Sequence, residues 1–349
     1  MKRTALAIVS AVGLVLAAAN GMSQASASPA RTSPGPAAPG THIHILGTAK
    51  GVPVGAAGLA DTRAGTPPLL YHSGGAIAKA MKIYTIFWDP GFLQDGTPVT
   101  MPTAYKNTVN QFMHDYSGFG IAKNNTQYCG YSGVKPNVCI GKTTSYHGSF
   151  TVTTPFPVGS CSTSTDGNNC VSDADLGNIA RSTAAAHAIA GGTGTEFFVY
   201  TPNGEGSCFS TGACADNSAA YTRYCAYHTY TNSAYGPYPQ LVYANQPWPS
   251  SPLMDCSGGS GQTYPNLAAT GDLNADASIN VSSHELSESI TDPLINAWYD
   301  TAGYEIGDEC AWQFGILANG GGDVRWNNHP YSIQMEGSNH SSNCVIAGP

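Results

Sequence analysis

The sequence predicts an α+β layered domain, a mixed sheet with packed helices stapled by disulfides. Three observations predict it. Short runs of β-branched and aromatic residues alternate with segments of helical period along residues 69–349. All ten cysteines fall between Cys129 and Cys344. A tract rich in Pro, Gly, Ala and Ser, residues 28–68, divides this part from an N-terminal leader.

In the leader, Lys2 and Arg3 precede an apolar run from Ala5 to Ala19, and Ala25-Ser26-Ala27 has the small-x-small form of a cleavage site. Residues 1–27 are therefore expected to be a secretory signal peptide. The apolar run is short and lacks stop-transfer charges, so a secreted protein with no membrane segment in its mature form is expected. Residues 28–68 carry few large apolar side chains to offset their ordering entropy, and are read as a linker or pro-segment. A single domain over residues 69–349, expected as a monomer, is long enough to bury a substantial core.

Within that domain "MKIYTIFWDP", residues 81–90, reads as a buried strand stopped by proline. "TAYKNTVNQFMHDYSG", residues 103–118, repeats Tyr105, Val109, Phe112 and Met113 at helical spacing and closes at Gly118. Residues 129–170 are read as strands and stapled loops. "DADLGNIARSTAAAHAIAGG", residues 173–192, has acids at its start and glycines at its end, as a helix would, with His187 packed on it. "TEFFVYTP" and "QLVYANQP" read as two further buried strands.

An even cysteine number in an exported chain implies disulfides. Cys129 with Cys139, Cys161 with Cys170, and Cys208 with Cys214 are the easy local pairs; Cys225, Cys256, Cys310 and Cys344 complete the set without a partner assigned. No C-x-x-C occurs, which argues against a zinc knuckle. The formal charge of −8 arises from 22 acids and 14 bases with no basic stripe, which excludes phosphate-backbone recognition and hence nucleic acid. No G-x-S-x-G, Walker or dinucleotide fingerprint is present.

The chemistry concentrates in "SSHELSESITDPLINAWYD", residues 282–300, and "YEIGDEC", residues 304–310. The chain has seven Glu, and Glu285, Glu288, Glu305 and Glu309 lie here with Asp292, Asp300 and Asp308, while no Lys or Arg occurs between Arg223 and Arg325. Carboxylates among Leu286, Ile290, Ile295, Trp298 and Ile306 must stay solvated, become protonated or find a cation. On a helix His284 and Glu288 project from one face, one turn apart, as the ligands of an H-E-x-x-H helix do. His284 and Glu288 are therefore read as ligands of a divalent metal, zinc by preference, with Glu285 as general base and Asp308 or Glu305 as third ligand. An ordinary solvated acidic face is the competing reading. Asp292 and His228 are candidates for the surrounding shell, His228 through a disulfide-fixed loop at Cys225. Asp276 or Ser278 would cap the helix and Pro293 end it, with Asp292 its last residue. Asp272, Asn274 and Asp276 have the spacing of a calcium-loop opening, but Ala277 replaces its glycine and Ser283 its final Glu, so calcium is the weaker cofactor.

"HELSESITDPLINAWYD" followed by "EIGDEC" resembles the signature of the EXORDIUM-like, phosphate-induced protein family, extracellular proteins of plants with bacterial relatives. "LLYHSGGAIAKAMKIYTIFWDPGF", "YCAYHTY" and "RWNNHPYSIQMEGSNHSSNCV" are similar to further family blocks. Residues 161–214 depart from the plant pattern, and Asp292 and His228 stand where plant members tend to carry Asn and Pro. The resemblance implies a secreted or cell-wall protein without an assigned reaction; the helix itself implies a zincin-like layered fold with an altered ligand.

The expected function is a secreted metal-dependent, peptidase-like hydrolase acting on extracellular peptide or cell-wall material. The alternative is a noncatalytic extracellular binding or signalling protein with a structural acidic or metal site, whose abundant Tyr and Asn would face a wall polymer.

Overall fold

The protein, as a computed structural model, is described over residues 45–46, 66–132, 137–155, 160–161, 169–210, 213–215, 224–231, 240–249, 256, 269–315 and 323–348. These residues lie in one compact unit, Ala37–Pro349. The expected signal peptide and most of the expected linker lie outside the described residues.

Six strands form the main sheet: β1 (Ile45–Leu46), β2 (Met81–Trp88), β3 (Thr144–Val152), β4 (Gly192–Tyr200), β5 (Ala226–Tyr230) and β6 (Leu241–Gln246), in the order β1-β5-β6-β4-β2-β3. β2 runs parallel to β3 and β4, and β4 parallel to β6. β5 is antiparallel to β6 and β1 antiparallel to β5, so the sheet is mixed, as expected. Two residues of the expected linker thus pair with the sheet edge. Residues 226–230, expected as a loop, form a strand instead: alternating Ala226, His228 and Tyr230 against Tyr227 and Thr229 suits a pleated surface covered on both faces.

Strand alternation divides the core in two. Phe87, Phe198, Tyr200 and Ala244 pack with α1 (Thr103–Asp115) and α3 (Leu273–Thr291). Ile86, Trp88, Phe197, Val199 and Tyr243 face α2 (Asp173–Ala186) on the other side. Helix α1 keeps the predicted apolar face, and Gly118 takes φ +80° just beyond it. Ser172 caps α2 by accepting from the Asp175 N–H, and the His187 ring stacks on Phe150 with centroids 4.2 Å apart.

Helix α3 is buried from Ala275 to Thr291, although only the stripe Ala275, Ile279, Leu286 and Ile290 packs into the apolar core and most of its other residues are polar. Two features permit this. Its many Ser and Ala residues allow close approach, and several of its hydroxyls find partners: Tyr105 with Ser278 at 2.8 Å, Tyr116 with Ser287 at 3.0 Å, and Tyr200 with Ser282 at 2.9 Å. Tyr105, Tyr116 and Tyr200 therefore turn inward rather than toward a polymer surface. Burial of Ile279, Leu286 and Ile290 adds on the order of 1.5–3 kcal/mol each.

The cap of α3 differs from both expected residues. Asp272 caps it, accepting from Asn274 N at 3.0 Å and Ala275 N at 3.1 Å, because the helix begins several residues earlier than its apolar period suggests. Asp276, itself buried, instead accepts from the N–H of Thr270, just before the helix. The helix ends at Thr291, with Asp292 just outside it as C-cap. Asp292 Oδ1 accepts from Asn296 N and Ala297 N and so shapes the following turn.

Disulfides join Cys129 to Cys139 and Cys161 to Cys170, as expected, and also Cys225 to Cys256 and Cys310 to Cys344. The last two close longer loops and fix residues on either side of α3. Cys208 is disulfide-bonded, and strand register sets it opposite Cys214, whose side chain lies outside the described residues.

Candidate metal centre

His284, Glu285 and Glu288 come from the middle of α3, and each has no exposed surface. His284 Nε2 lies 2.9 Å from Glu288 Oε1, as the i, i+4 spacing predicts. The turn after Gly307 brings Asp308 Oδ1 to 3.7 Å from the same nitrogen, and its backbone N–H donates to Glu288 Oε1 at 3.2 Å. Of the two candidate third ligands, Asp308 thus faces His284. Glu305 faces the other histidine, with Oε1 3.9 Å from His228 Nε2.

His228 is the residue that tertiary structure promotes. It is fully buried on β5, on the α3 side of the sheet, and its Nε2 donates to the Asp292 carbonyl at 3.2 Å. Asp292 therefore serves the cluster through its backbone oxygen. The other ring nitrogen, Nδ1, lies 3.4 Å from Glu285 Oε2 and 3.5 Å from Glu288 Oε2.

Two three-residue groups could each hold a metal ion in this region: His284, Glu288 and Asp308, and His228, Glu285 and Glu288. In each group one ligand atom per residue lies within 4.8 Å of the others. At ligand–zinc distances of about 2.1 Å, tetrahedral donors stand roughly 3.4 Å apart, close to the spacing seen. Cys161, Cys170 and Cys208 form a third group, but disulfides occupy these sulfurs.

Electrostatics point the same way. His228 Nδ1, His284 Nε2, both Glu285 oxygens and Glu288 Oε2 are buried without an aligned hydrogen bond. Burial alone pulls the His284 pKa down, but Glu288, Glu285 and Asp308 reverse this and raise it to about 10. His228 likewise ends well above its ordinary value, with Glu305 the leading carboxylate working against burial. Burial pushes Glu285 up to about 7, against the pull of His228 and His284. For Glu288 burial acts upward, yet both histidines outweigh it and hold the carboxyl low. The buried carboxylates thus draw protons onto the imidazoles, and a bound cation could supply the same compensation.

Three participants escaped the sequence reading. Glu336, on the short strand Glu336–Ser338, is fully buried with neither oxygen hydrogen-bonded, and burial raises its pKa well above normal. Glu196 on β4 accepts from Ser289 Oγ at 2.5 Å, and burial raises its pKa to about 8. A lone acid inside "TEFFVYTP" was a legible signal. Gln334 lies 2.5 Å from His284 Nδ1 through Nε2, and donates from the same nitrogen to Gly307 O at 3.2 Å. Nothing local in the sequence marks Gln334.

A groove of about 630 Å³ lies elsewhere, between β3 and α2 on the opposite face of the sheet. Phe150, Thr151, Asn178, Ser182, Thr183 and His187 help to line it, and no carboxylate, Lys or Arg does. Among the described residues no helix is long and apolar enough to cross a membrane.

No family model matches the chain, and no solved structure matches it. Two curated plant proteins do. The chain is 38% identical to Protein EXORDIUM-like 5 of Arabidopsis thaliana over 86 residues, 23% of each chain. It is 31% identical to Protein EXORDIUM-like 3 of the same plant over 114 residues, 28% of this chain and 31% of the relative. The matches thus span about a quarter to a third of the relatives' length. They agree with the resemblance read from the sequence to EXORDIUM-like proteins, over part of the chain.

Proposed function

We propose that the chain is a noncatalytic extracellular binding or signalling protein of the EXORDIUM-like family, with a divalent cation held structurally by His284, Glu288 and Asp308. One observation carries this reading: His284, Glu285 and Glu288 have no exposed surface. A catalytic zinc keeps a coordination position open to water and substrate, whereas a structural one is enclosed. The signal-like leader and the disulfides support export.

A zincin-type metallohydrolase is the second reading, favoured by Glu285 following His284 on a helix that faces Asp308. One experiment separates them. The mature protein, purified without chelators, is assayed for metal, for melting with and without EDTA, and for turnover of peptide and wall-polymer substrates. The structural reading expects bound metal, a lower Tm after chelation and no turnover. Turnover that disappears in Glu285→Gln, with metal retained, overturns it in favour of the hydrolase.

A further inference from the structure

We infer that the cluster holds two divalent cations, bridged by Glu288, and that Glu285 is a metal ligand rather than a general base. This rests on the reading that the cluster binds a cation at all, and assigns a second site to His228, Glu285 and Glu288.

The two oxygens of Glu288 face different histidines. Oε1 lies 2.9 Å from His284 Nε2, and Oε2 lies 3.5 Å from His228 Nδ1. Each half then has one imidazole nitrogen and one further carboxylate: Asp308 beside His284, and Glu285 beside His228. A carboxylate that presents one oxygen to each half is the arrangement that spans a metal pair about 3.5–4 Å apart.

The His228 half has its own independent support. Its Nε2 is engaged with the Asp292 carbonyl, so Nδ1 is the ring atom that faces the carboxylates. Nδ1, Glu285 Oε2 and Glu288 Oε2 converge, fully buried, without an aligned hydrogen bond among them. A cation shared by the three atoms satisfies all of them at once. The outer bond from the ring's second nitrogen to a backbone carbonyl is also the support that metal-bound histidines normally have.

The test is metal stoichiometry of the full mature chain, measured on wild type and on His228→Gln, with manganese-loaded protein examined by electron paramagnetic resonance. The expected result is about two equivalents in wild type, about one in His228→Gln, and a spin-coupled manganese pair lost in that variant. About one equivalent in both proteins, with only uncoupled manganese, overturns the second site while leaving a structural cation in place. No metal in folded wild type, even after incubation with zinc or manganese, overturns both. If His228→Gln does not fold, the wild-type stoichiometry and coupling decide alone.

Discussion

The Tyr200 hydroxyl on β4 meets Ser282 Oγ on α3 at 2.9 Å, and Ser282 in turn donates to Gln246 Oε1 on β6 at 3.0 Å. Because Ser282 gives its proton to Gln246, Tyr200 must be the donor to Ser282. This relay ties the buried helix to two neighbouring strands. Ser282→Ala orphans both partners and is expected to cost about 1–3 kcal/mol, which lowers Tm by several degrees. Tyr200→Phe leaves the Ser282–Gln246 bond intact and should cost less. Thermal melting of the two variants checks the order, and a larger loss in Tyr200→Phe would refute the relay.

Gly307 packs directly on the His284 imidazole, so a Cβ there would collide with the ring. Its φ of −77° is ordinary for any residue, which makes the constraint steric rather than conformational. Gly307→Ala is expected to displace His284, reducing metal content and Tm together. Unchanged metal content in that variant would show that His284 is not a ligand.

Asp276 gives a pH dependence at a distance from the cluster. Burial raises its pKa from 3.8 to about 7, partly offset by hydrogen bonds from Thr270. The folded state therefore binds more protons than the unfolded state between these values, and this group's contribution to stability falls as pH rises through the window. Asp276→Asn removes that penalty. Its Tm relative to wild type should increase from pH 4 to pH 8, and a difference constant across that range would contradict the assignment.

Asp115 behaves in the opposite sense. Burial pushes its pKa up, but hydrogen bonds from Asn327, Tyr331 and His329 outweigh this and hold it below 3.8. Stability from this group is thus present above about pH 4 and lost as pH falls through the folded value. Asp115 anchors the end of α1 to the hairpin formed by Val324–Trp326 and His329–Tyr331. Asp115→Ala, which orphans these donors, should destabilise by about 3 kcal/mol or more at neutral pH, and by less at pH 3. Equal losses at both pH values in urea titrations would count against it.

Much of the architecture was legible because it is written locally. Runs of β-branched and aromatic residues within 81–88, 192–200 and 241–246 mark buried strands, and the Tyr105–Met113 spacing marks α1. The i, i+4 pairing of His284 with Glu288 follows from helical geometry alone. The boundary of α3 was less legible, since Asp272 caps a first turn with no apolar face exposed to the reader's pattern.

By itself the sequence determined that an α+β domain with local disulfides would form, that acids without nearby bases would gather around His284, and that these motifs resemble the EXORDIUM-like proteins. Only the tertiary structure decided that this acidic helix is buried, because that depends on tyrosines from α1 and β4 reaching its serines across the core. It also decided the membership of the cluster. His228 arrives from β5, Glu196 from β4 and Glu336 from near the C-terminus, and residues far apart in the chain become neighbours only through packing, which no local spacing encodes.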